Sequence, residues 1–167
     1  AQAREAQIEG ALERIRSRTA AMQQSGELKD VIQVVYEQFV RLGIQTEHAG
    51  FIMDYRERED FPTWIADQFG SPSYAILPYF DCIYYNRFKE AKKKGKDFFS
   101  VSLSRQEKNS FYKDLFKHLP GFPEASKKII FAHPGFSIST VLLENVALYI
   151  ENFTGLPYAE ESNNILI

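Results

Sequence analysis

Side chains able to do chemistry are few in this chain. His133 stands beside Pro134-Gly135, where an imidazole at the end of a strand can offer a hydrogen bond to a ligand. A purely structural strand-end histidine fits the same pattern. His48 and His118 fall at element ends with no Asp or Glu at metal-ligand spacing, so neither is assigned a role and no metal is expected. The single cysteine, Cys82, has neither a histidine beside it nor a second cysteine. That removes an internal disulfide and argues against nucleophilic, redox or chromophore-attaching use. The sequence holds no glycine-rich phosphate loop, no Gly-x-Ser-x-Gly elbow and no Cys-x-x-Cys. The positive case for an enzyme is therefore nearly empty, and no cofactor is expected.

Aromatic residues offer a different chemistry, that of a lined cavity. They make up 14% of the chain, with 14 Phe, 9 Tyr and 1 Trp, a bias that suits either a tight core or a pocket. Trp64, Tyr84, Phe88, Phe99, Phe111 and His133 are the candidate ligand-binding set, each of which also reads as plain core. The basic cluster Arg87, Lys89, Lys92, Lys93, Lys94 and Lys96 reads as a solvated helix end paired with the dipole, with attraction of an anion or acidic partner as the alternative.

The elements that must position these residues are legible from periodicity. Leu28, Val31, Ile32, Val35, Phe39 and Leu42 make one apolar helix face that Gly43 closes. Strands are expected at His48 to Tyr55, Phe61 to Phe69 and Tyr74 to Leu77, with Pro62 marking the second as an edge strand. Asp81 is expected to cap a helix carrying Tyr84, Phe88 and Ala91, ended by Lys92-Lys93-Lys94-Gly95. Phe98 to Leu103 alternates as a strand. Ser104-Arg-Gln-Glu107 is a capping box that opens a helix running to Pro120-Gly121. From 127 to 153 the chain reads as a three-strand antiparallel meander, broken at Pro134-Gly135 and at Glu144-Asn145. Pro157 to Ile167 reads as a final helix cut short. The order implies an α+β fold, a central antiparallel sheet with helices on both faces, one set from the termini and one from the middle of the chain.

Residues 1–24 stand apart. Ile8, Leu12, Ile15, Thr19 and Met22 recur at spacings of four and three, a heptad seam on an otherwise Arg, Glu and Gln surface. The seam predicts a coiled-coil type linker helix that pairs with its copy in a second chain; packing on its own domain is the alternative. Residues 25–167 form the second unit. With 167 residues and 44% hydrophobic content, one filled core is the default, and a net charge of −2 gives no global reason to expect nucleic acid. No apolar run approaches the roughly 20 residues of a membrane helix, and the charged N-terminus has no signal-peptide core. A soluble cytoplasmic chain without membrane contact is expected.

Arg4 to Leu28 resembles the linker helix that precedes GAF-like sensor domains in bacterial multi-domain signalling proteins, especially sensor histidine kinases. The body is similar as well, through Tyr74-Ala-Ile-Leu-Pro78, the segment Phe88 to Phe98, Phe111-Tyr-Lys-Asp-Leu115 and Phe131-Ala-His-Pro-Gly-Phe136. The resemblance implies a non-catalytic regulatory module of a two-component protein, with helices that dimerise and carry a signal and with room for an unidentified small molecule. The chain departs from better-understood branches, lacking the Cys-His pair of bilin binders, the signature of cyclic-nucleotide binders and the cysteines of the related methionine sulfoxide reductases. A ligand-free structural coupler is the second expectation, and a small hydrolase using His133 the third.

Overall fold

The computed structural model describes residues 1–20, 28–68, 70, 72–144 and 146–166. In chain order the elements are α1 (Gln2–Ala20), α2 (Leu28–Arg41), β1 (His48–Met53), β2 (Phe61–Ala66), β3 (Ser73–Leu77), α3 (Ile83–Lys93), β4 (Phe98–Ser104), α4 (Arg105–Phe116), α5 (Glu124–Ala132), β5 (Gly135–Leu142), β6 (Val146–Asn152) and α6 (Glu160–Leu166). The six strands form one antiparallel sheet in the order β3-β2-β1-β6-β5-β4. The last hairpin, β5–β6, thus inserts between β1 and β4 and occupies the centre.

Both faces are covered, one by helices from near the termini and the other by α3 and α4 as expected, joined by α5, a helix where the sequence predicts a strand. On one face, α2 lays Leu28, Val31, Ile32, Val35 and Phe39 on Ala49, Phe51, Ala66 and Ile150. Each such side chain contributes roughly 1.5–3 kcal/mol on burial. Leu166 of α6 joins this cluster, and Ile8 and Ile15 of α1 pack against it around a buried Ala11. On the other face α3, α4 and α5 bury Tyr84, Tyr85, Phe88, Tyr112, Phe116 and Ile130 against Val101, Leu103, Phe136, Ile138 and Tyr149. β5 has no exposed residue, because helices lie over both its faces.

Local signals explain the helix ends. The capping box at Ser104 is formed in both directions, Glu107 N–H to the Ser104 hydroxyl and Ser104 N–H to the Glu107 carboxylate. α3 ends in the two bonds of a Schellman closure, Gly95 N–H to Lys92 O and Lys96 N–H to Ala91 O, with Gly95 at φ 66. Its start differs from the expectation at Asp81. Cys82 holds the cap position and its sulfur accepts the Tyr85 N–H, while Asp81 bonds the Asn86 amide at 2.7 Å.

Two strand readings are corrected. Residues 127–133, expected to be the first strand of a meander, belong to α5 and its cap. Pro123 starts the helix, Glu124 sits in its first turn and pairs with Lys127 at 3.0 Å. A short apolar run satisfies either period, and here the helical one leaves Ile129 in solvent at 62% exposure while burying Ile130. β2 is also interior, with β3 at the edge. Pro62 is tolerated because the β1 ladder stops at Ile52 opposite Thr63, one residue short of it.

The tightest approach in the sheet lies at its middle. Gly50 faces Tyr149 across β1 and β6, and a Cβ on Gly50 would overlap the Tyr149 ring. Gly50→Ala should cost about 1–3 kcal/mol, the usual penalty of overpacking, as read by urea unfolding. Adding Tyr149→Val should recover part of that loss in a double-mutant cycle.

Candidate functional site

The α3/α4 side of the sheet carries a continuous aromatic layer. Tyr84, Phe88 and Phe99 meet at 5.6 to 6.3 Å between ring centroids. Phe111 touches Tyr85 and Phe136, and Phe136 leads through Phe153 to His133, whose ring lies 5.1 Å from Phe153. Five of the six candidate residues, Tyr84, Phe88, Phe99, Phe111 and His133, thus share one layer. Trp64 does not. It points to the α2 face, where it packs on Tyr74 at 5.0 Å and borders the second core cluster. The alternation of β2 decides this, since Phe61 and Thr63 occupy the face opposite to Trp64. His133 follows the last turn of α5 rather than ending a strand, and its N–H bonds the Ile130 carbonyl.

Within this layer rings from the helices pack on rings from the sheet. The Tyr84 hydroxyl shares a 2.9 Å bond with Thr140. Burial raises the tyrosine hydroxyls of Tyr84, Tyr85, Tyr112 and Tyr149 above the usual phenol range, so all four stay neutral. Burial likewise pushes the Cys82 thiol up to about 11, which removes the thiolate that reactivity would require.

Three titratable residues passed over by sequence reasoning form the polar heart of the domain. Glu151, almost wholly buried on β6, takes His48 Nδ1 at 2.5 Å and the Tyr112 hydroxyl at 3.3 Å. Burial works against a charged His48, yet the Glu151 carboxylate, helped by Asp67 and Glu47, outweighs it and raises the imidazole above its usual range. The signal available in sequence was a lone Glu within the alternating run Ala147, Tyr149, Glu151, Phe153. His48 gave none, because its partner lies 103 residues away.

Lys108 is the other buried charge, with no exposed surface at all. Its Nζ donates to the carbonyl of Ile130 and, at 2.7 Å, to that of His133. It therefore adds a second donor to two carbonyls at the end of α5, which also accept from the His133 N–H and from Arg105, where the helix dipole favours a cation. Burial draws its pKa below the ordinary lysine value.

A sizeable cleft lies elsewhere. It has a volume of about 610 Å³ and runs between the β1–β2 turn and the end of α3. Phe88 is the single residue it shares with the expected ligand-binding set. Among the described residues no cluster of His, Cys, Asp and Glu could hold a metal ion, and no helix is long and apolar enough to cross a membrane.

No family model matches the chain, and no curated protein matches it. Among solved structures it is similar to the GAF domain from a phosphoenolpyruvate-protein phosphotransferase of Coxiella burnetii. That match has a TM-score of 0.53 and 11% sequence identity, covering 95% of this chain and 84% of the other. The fold is therefore of the GAF type.

Two outcomes test the polar heart. Lys108→Met should cost about 1–2 kcal/mol in urea unfolding, because two hydrogen bonds from a buried ammonium are lost while the Ile130 carbonyl keeps the His133 N–H and the His133 carbonyl keeps Arg105. A raised His48 pKa means stabilisation fully present below about pH 6.5 and lost as pH rises through the folded value. The melting temperature of His48→Gln should therefore fall furthest below the parent near pH 6 and approach it near pH 9, by roughly 2–4 °C for each kcal/mol recovered. A gap independent of pH would refute the linkage.

Proposed function

We propose that this GAF-type domain is a non-catalytic regulatory sensory module that couples one face of its sheet to the helices on the other. The observation carrying the reading is the separation of the two helical layers. α3, α4 and α5 cover one face, while α1 and α6 reach the other, where a single residue ties them together. Arg4 of α1 meets the Glu161 carboxylate through Nε at 3.2 Å and Nη2 at 3.4 Å, and donates from Nη1 to the Leu42 carbonyl at 2.6 Å. A change under α3 and α4 would reach α1 and α6 through the central strands, and it would signal only by favouring one arrangement of those helices over another. The resemblance of the N-terminal helix supports a setting in a bacterial two-component protein of the sensor histidine kinase type, in the cytoplasm.

Pairing with a second copy belongs to the same proposal. Ile8 and Ile15 rest half-buried against their own domain, and Leu12 stands outside that cluster on the same helix. The side chain of Thr19, and Met22, lie outside the described residues. Leu12 is accordingly the seam residue that a partner can claim without disturbing the fold.

A second reading, a coupler without a ligand, draws support from the filled aromatic layer around Tyr84, Phe99 and Phe111. Native mass spectrometry addresses both readings. The module reading expects a dimer that Leu12→Glu converts to monomer, with its thermal melt unchanged. A monomeric parent chain would overturn the pairing. A retained small molecule would exclude the ligand-free coupler.

A further inference from the structure

The cleft beside α3 has a composition that the packing of the domain does not require. Its walls are Arg58 and Glu59 of the β1–β2 turn and Lys89, Glu90, Lys92, Lys93 and Lys94 of α3 and its cap, and Tyr55, Phe61 and Phe88 form its base. Five cations face two carboxylates in a chain whose net charge is −2. At about 610 Å³ the space falls within the roughly 300–1,000 Å³ typical of small-molecule sites. The Tyr55 and Phe61 rings both stand nearly perpendicular to Phe88, at 5.7 and 5.3 Å. Lysine stems add apolar wall above this base.

The charges are not all spent. Arg58 is held by Asp60 through two bonds, and Lys94 by Glu90 at 2.7 Å. Lys92 Nζ donates to the Arg58 carbonyl at 3.3 Å and so joins the two walls. Lys89 lies over the Tyr79 ring at 4.1 Å, and Lys93 has no partner among the described residues. Compensation of the α3 dipole accounts for Lys92 to Lys94 at the helix end. It does not account for Lys89, a turn earlier, or for Arg58, which comes from another element.

We infer that this cleft binds a small planar organic anion, a phosphate or carboxylate carried on an aromatic ring, with Lys89 and Lys93 taking the charge and the ring seated toward Phe61 and Phe88. The inference rests on the sensory reading above and moves the ligand from the closed aromatic layer to its open margin. Occupancy would act on Phe88, which belongs to both the cleft and the layer, and through Phe88 on Tyr84 and Phe99. The volume and the aromatic base favour a small molecule over an acidic protein surface.

The test is a titration of the full 15N-labelled chain with 1-naphthyl phosphate, followed by amide shifts, with 1-naphthol and inorganic phosphate as controls. Saturable shifts at residues 55–61 and 88–95 are expected, with affinity falling about tenfold or more in Lys93→Glu and further in Lys89→Glu/Lys93→Glu. Lys93→Gln should show a smaller loss with an unchanged spectrum elsewhere, which separates charge from folding. Equal binding of 1-naphthol, unchanged affinity in the charge variants, or the absence of saturable shifts at those amides would each overturn the cleft. Shifts confined to Tyr84, Phe99 and Phe111 would overturn it while preserving the sensory reading. No shifts anywhere in a chain that still dimerises would overturn it and favour the ligand-free coupler.

Discussion

Glu151 sits on a central strand with its carboxylate almost wholly removed from water, and an uncompensated charge there would cost several kcal/mol. Its partners come from two distant parts of the chain, His48 from β1 and Tyr112 from α4, and β6 carries the carboxylate between β1 and β5. Satisfying this group requires β1 and β6 to pair in the observed register, with His48 directly opposite Glu151. A one-residue slip would turn the carboxylate to the α2 face, away from both partners. The same register sets Tyr149 over Gly50, where the absence of a side chain makes room for the ring.

The two helical layers follow from that centre. Once β5–β6 is seated beside β1, β4 must form the far edge, and α4 begins within a residue of it at the Ser104 capping box. α4 then delivers Tyr112 to Glu151 and Lys108 to the end of α5. One helix thus takes part in satisfying both buried charges, giving a hydroxyl to the carboxylate and carrying the ammonium to the carbonyls of α5. On the opposite face the contacts along α2 are mostly apolar, and polar groups enter through the 2.7 Å bond from Arg14 to the buried Gln38, through Arg4 and through the 2.7 Å bond from Ser139 to Asn163 of α6.

This division explains why the aromatic layer and the open cleft differ in character. Beneath α3 and α4, rings from helices and strands meet edge to face. At the C-terminal end of α3 the layer stops at Phe88, because Gly95 turns the chain back toward β4 and the wide β1–β2 turn curves away. The space left between them is walled by lysines that carry both apolar stems and charged tips.

Much of the architecture was already present in the sequence because it depends on local periodicity. The α2 stripe from Leu28 to Leu42, the alternation of Phe99, Val101 and Leu103, and the Ser104 capping box each involve neighbours a few residues apart, and each appears in the fold as read. So does the α+β order with helices on both faces. Tertiary structure decided the rest. Residues 127–133 became a helix because a short apolar run fits either period until something buries one side of it. Pro62 lies in an interior strand because strand order depends on which hairpin inserts at the centre. Trp64 parted from Tyr84 and Phe88 because its place on β2 turned it to the α2 face. His48 met Glu151, and Lys108 met the end of α5, across 103 and about 25 residues, and no local pattern encodes a partner at such separation. The sequence by itself determined the elements and their amphipathic faces. The chemistry of the interior was settled only by the pairing of β1 with β6, which brings distant polar groups within bonding distance.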